Sequence, residues 1–166
     1  MTSPELTEVL TGPVRLAHPR LYRALAAFGQ DPRYSTVILV PKNDIQTVRV
    51  IRAAQRNALA YLEQKTGRPA PQEWKDNLRD GDTDPARAKN PEYAGHWFMT
   101  ISSPTPPGIV DERAEPILDT VTVGDGSLVR VSMNAFAYTH GETTGVSFAL
   151  NHLQKLPEPR TAPKAA

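Results

Sequence analysis

Between Gly126 and Tyr138 the chain reads GSLVRVSMNAFAY, and its residue types alternate with a period of two. A β-strand points successive side chains to opposite faces, so this run makes two different surfaces. Val129, Val131, Met133, Ala135 and Ala137 form one, suited to a core. Arg130, Ser132, Asn134, Phe136 and Tyr138 form the other. A solvated face has no use for two aromatics beside an arginine and small polar groups, whereas a face that stacks bases and holds phosphates does. Stacking contributes about 1–3 kcal/mol per base, so Phe136 and Tyr138 would weigh heavily in affinity.

A second set lies on a predicted helix. Arg49, Arg52 and Arg56 are three and four residues apart and share a helix face. From Pro41 to Arg68 six Lys or Arg, Lys42 among them, face only Asp44 and Glu63. Such a strip attracts phosphates, although many basic helix faces are merely solvated. A third set is acidic: Asp76, Asp80, Asp82 and Asp84. DGDTD opens like a calcium loop but lacks the glycine for the sharp turn and the closing glutamate, so tight Asp and Gly turns explain it better. Asp80, Asp82 and Asp111 are the carboxylates a metal-dependent nuclease would use, as an alternative reading. His18, His96, His140 and His152 show no ligand spacing, and no G-x-S-x-G or phosphate-cradling glycine loop is present. No cofactor, metal or catalytic set is expected.

These residues need elements to hold them. With 166 residues, one domain with a sizeable core is expected. Net charge is only +1, so nucleic-acid binding must come from local charge placement. No cysteine is present, which removes disulfides and thiolate sites. No apolar run approaches the roughly 20 residues of a membrane helix. MTSPELTEVL lacks the basic and apolar regions of a signal peptide, so an intracellular protein is expected.

Residues 1–11 read as a flexible lead, and 157–166, PEPRTAPKAA, as a disordered tail. Strands are predicted at Val14–Tyr22, interrupted by Pro19, at Tyr34–Val40, His96–Ser102, Ile109–Val110, Ile117–Val123, Ser127–Thr139 and Val146–Leu156. One helix from Ile45 to about Lys65 follows the second strand, capped by Asn43 or Asp44 and stopped by Gly67. Its apolar stripe is Ile45, Val48, Ile51, Ala58, Leu59 and Leu62. Residues 68–92 form a long loop of the kind that is often functional. In His96–Ser102, Trp97 is in phase with Met99 and Ile101 and expected in the core, while Phe98 shares the more polar face of His96 and Thr100. The sum is a mainly β protein: an OB-fold-like antiparallel barrel of five to seven strands with one principal helix, spanning 12–156.

In order, GPVRL, RYSTVILVPK, LRDGD, YAGHWF, PPGIVD, GSLVRVSMNAFAY and GVSFALNHLQKL resemble a bacteriophage single-stranded DNA-binding protein family with an OB-fold. The resemblance runs from about residue 12 to 156 and implies single-strand binding without marked sequence preference, in phage replication or recombination. It implies no catalysis and no metal, and the host cytoplasm as the place of action. It puts Arg33, Tyr34 and Lys42 on the second strand, and Phe98, Arg130, Phe136 and Tyr138 on later ones. Single-stranded DNA is the expected partner; duplex DNA and self-association stay open. The acidic, aromatic-ended tail of many replicative single-strand binders is missing from PEPRTAPKAA. A small-barrel structural module of a phage particle is a further alternative.

Overall fold

The computed structural model describes residues 6–26, 31–87 and 89–158. Residues 1–5 of the expected lead, Phe28, and 159–166 of the expected tail lie outside the described residues. Among the described residues nine strands make one sheet: β1 (Glu8–Leu10), β2 (Val14–Leu25), β3 (Arg33–Pro41), β4 (Lys75–Asp76), β5 (Arg79–Asp80), β6 (His96–Ser103), β7 (Gly108–Val110), β8 (Leu128–His140) and β9 (Thr143–Lys155). One helix, α1 (Ile45–Thr66), follows β3.

Five of these strands close a barrel through the pairings β2–β3, β3–β6, β6–β9, β9–β8 and β8–β2. A ring with an odd number of strands cannot alternate direction all the way round. The unavoidable parallel seam is β6–β9, reduced to the single register pair Ser102↔Ala149. Elsewhere the ring is antiparallel, as expected. Beyond that pair β6 and β9 diverge. The gap is filled by two short strands from the long loop: Lys75 pairs with Gly145 on β9, and Arg79 with Phe98 on β6. The 68–92 loop is thus part of the barrel wall.

Pro19 has no N–H for the ladder, and the β2–β3 register shifts beside it, with His18 at a φ of 49°. The helix begins at Asp44, whose carboxylate accepts from the Thr47 amide at 3.1 Å and its hydroxyl at 2.6 Å. It ends at Gly67 in the left-handed conformation. The buried face is Thr47, Ile51, Ala54, Gln55, Ala58 and Leu59. Ile45, expected in that stripe, is 60% exposed, because the buried face begins two residues later at Thr47.

The core inside the barrel includes Leu16, Ile38, Ile51, Met99, Ile101, Val131, Met133, Phe148 and Leu153. A second small core of Ala17, Val37, Leu39, Tyr93 and Phe98 lies on the other face of β3 and β6.

Two expectations are corrected. The flexible lead contains β1, which pairs with Ser132–Asn134 and buries Val9 completely, so the helix follows the third strand and not the second. Three residues with one buried apolar position are too short to show a period. Ile117–Val123 is not a strand: Asp119 caps a turn by accepting from the Val121 and Thr122 amides. There Leu118 and Val121 stay open to solvent.

Burial separates two apolar substitutions. Phe148→Ala is expected to cost about 3–5 kcal/mol in urea unfolding, and Leu118→Ala to stay within about 0.5 kcal/mol of the native chain.

Candidate nucleic-acid interface

The two faces of β8 are divided as the alternation predicts. Val129, Val131, Met133 and Ala135 are buried, while Arg130 and Phe136 are exposed and Ser132, Asn134 and Tyr138 half-buried. Phe136 is 45% exposed, and its ring centroid lies 6.4 Å from that of Tyr138 at 50°. Tyr138 lies over Gly145, its register partner; a β-carbon there would stand 2.6 Å from the ring. The bare glycine is what lets the ring lie flat on the sheet. Gly145 also pairs with Lys75, and side chains of register partners share a face. An exposed lysine therefore extends the row beyond Tyr138.

Next to it, Arg79 holds its guanidinium 5.4 Å from the Phe98 ring and pairs with Asp84. Lys75 and Arg79 escape sequence reasoning because their loop has no period; only pairing with β9 and β6 shows their faces. Phe98 itself is 4% exposed and packs edge-on against Tyr93 at 5.1 Å. Its face is outward, as its parity indicates, but Tyr93 covers the ring. Asn134 is engaged by Asn151 at 2.7 Å and by Thr7.

On the other side of β6 the basic helix stripe borders a groove of 560 Å³, lined by Lys42, Ile45, Val48, Arg49, Arg52, Ala53, Arg56 and Trp97. Trp97, expected in the core, is half-buried at the β6 end and faces this groove; its signal was the register with Val40, two residues from Lys42. The four cations are not equivalent. Lys42 donates to Asp80 at 2.6 Å and Asp82 at 2.7 Å, and its ammonium sits 5.0 Å over the Trp97 ring. Arg52 pairs with Asp76, which also accepts from buried Gln55 at 2.8 Å. Arg49 and Arg56 are exposed and make no ion pair among the described residues.

The remaining candidates lie apart. Arg33 and Tyr34 open β3, about 26–30 Å from Lys42 by strand rise, and Arg130 is about 20 Å along β8 from Phe136.

The aspartate loop reads differently in three dimensions. Asp76 meets Arg52, Asp80 and Asp82 meet Lys42, and Asp84 meets Arg79. Asp111 instead caps its own turn, accepting from Arg113 and Glu115 amides. Among the described residues no three His, Asp or Glu converge as a metal ion requires.

A closed five-stranded barrel with one helix and an aromatic and basic outer surface defines an OB-like binding protein. The chain belongs to the family of the Enterobacter phage Enc34 ssDNA-binding protein, which it matches over residues 7–160. The single-stranded DNA-binding protein from bacteriophage Enc34, solved in complex with ssDNA, superposes with a TM-score of 0.76 at 17% identity, covering 90% of this chain and 85% of that one. Its C-terminal truncation gives 0.76 at 17% identity over 94% and 89%. The gp2.5 single-stranded DNA-binding protein of bacteriophage T7 gives 0.63 at 14% identity over 90% and 85%. No curated protein sequence matches the chain. These likenesses bear out the OB-like barrel.

The Lys42 ammonium, hydrogen-bonded to both carboxylates, holds Asp80 and Asp82 below the ordinary carboxylate range, and they in turn raise Lys42. Folding therefore favours the ionised aspartates. Their contribution is complete above the free value of 3.8 and is lost as pH falls through the lower folded values. Lys42 contributes below its free value of 10.5 and ceases to as pH rises through its raised one. The expected outcome is that D80N/D82N lowers the urea midpoint at neutral pH, and that its difference from the native chain closes between about pH 5 and about pH 2.

Proposed function

We propose that this protein binds single-stranded DNA largely independently of sequence, as a phage protein that coats and protects exposed strands during replication or recombination. The observation that carries this reading is the outward row of Phe136, Tyr138 and Lys75 on a barrel of the Enc34 single-strand-binding family. Every base has a π-face, so the exposed Phe136 ring and the half-buried Tyr138 ring serve any sequence, while nearby cations follow the backbone. Arg79 lies on the Phe98 face of β6, the helix stripe of Lys42, Arg49, Arg52 and Arg56 lines the groove on its other side, and Arg33, Tyr34 and Arg130 lie further out along the surface. The function requires no metal and no covalent step.

Anisotropy titration with labelled single-stranded oligomers of graded length, beside duplex and RNA controls, tests this. Log affinity should fall with log salt by about 0.7 for each phosphate engaged. Phe136→Ala and Tyr138→Ala should each cost about 1–3 kcal/mol of binding on any base composition; unchanged affinity in the double variant removes the stacking role. The arginines should separate. Arg49→Ala and Arg56→Ala weaken binding and each lower the salt slope by about one, whereas Arg52→Ala chiefly lowers stability through its lost Asp76 partner.

A further inference from the structure

Trp97 and Phe98 are neighbours on β6 and therefore face opposite sides of it. Phe98 belongs to the outer face with Tyr138; Trp97 lines the groove against α1. The two sides meet at β4, where Lys75 extends the outer row and the adjacent Asp76 reaches Arg52 and Gln55 on the helix. A strand lying on Tyr138 and Lys75 has only this two-residue strand to cross before it enters the groove.

The groove is built for more than phosphate. Its 560 Å³ is within the range of small-ligand sites. Ile45, Val48, Ala53 and the Trp97 ring give it an apolar floor, and Arg49 and Arg56 stand on its rim with no ion-pair partner among the described residues. What occupies the ring face is Lys42, held there by Asp80 and Asp82. Those ion pairs are partly open to solvent, where screening weakens them, so a competing phosphate can exchange with the carboxylates.

We propose that this groove takes one nucleotide unit of a single strand: the base displaces the Lys42 ammonium from the face of Trp97, the phosphates engage Arg49 and Arg56, and Asp80 and Asp82 act as the internal competitor for Lys42. This rests on the single-strand-binding reading above. It adds a third stacking residue and makes Lys42 a contact whose strength the aspartate loop sets.

Trp74→Phe leaves Trp97 as the sole tryptophan, since the chain has two. Titrating this variant with unlabelled oligo-dT should quench Trp97 with the same midpoint as the anisotropy of labelled oligo-dT. Saturating anisotropy with unchanged Trp97 emission overturns the groove while leaving single-strand binding intact; absent anisotropy overturns both. A mutant cycle supplies a second measurement that does not depend on Trp74→Phe. In D80N/D82N, Lys42→Ala should weaken binding several-fold more than in the native background and lower the salt slope by about one. An equal effect of Lys42→Ala in both backgrounds rules out competition by the aspartates.

Discussion

Closing a sheet of five strands into a ring forces two neighbours to run parallel, and in this protein that seam is β6 against β9. A parallel neighbour has no hairpin to hold it, and the two strands touch at one register pair before diverging. Their unpaired edges would be left without partners, which a folded interior cannot tolerate. The loop after α1 supplies them on one side of that pair, with Lys75–Asp76 on β9 and Arg79–Asp80 on β6, and β7 pairs with β9 on the other. Much of the candidate interface follows from that repair. It carries Lys75 to the row of Tyr138, Arg79 to Phe98, and the aspartates to the basic helix.

The same repair explains how a chain with a net charge of +1 keeps cations for a polyanion. The loop aspartates do not neutralise the basic stripe evenly. Asp76 engages Arg52 from the side of the barrel wall, and Asp80 and Asp82 share Lys42, while Arg49 and Arg56, on the outer helix face, keep their charges. One helical face thus contains a structural arginine between two available ones. Spacing alone makes the three look alike.

The β8 strand was legible because its period of two survives folding: Val129, Val131, Met133 and Ala135 are buried and Phe136 is open. The helix, its Asp44 cap and its Gly67 stop were legible for a related reason, since capping depends on residues within four positions of each other. Phe98 shows the limit. Its parity correctly turned it away from the barrel interior, but Tyr93, from the turn just before β6, lies over it. Trp97 shows the opposite limit: its parity placed it with the core, yet it sits at the strand end, where the interior opens into the α1 groove.

Local periodicity and capping chemistry thus settled the long strands, the helix and the two faces of Gly126–Tyr138, because those depend on neighbours in the chain. Which aromatics stay open, which cations stay free and where residues 68–92 belong were settled by barrel closure. Several of those answers depend on groups far apart in the chain, such as Lys42 with Asp80 and Lys75 with Gly145, and no local pattern encodes such pairings.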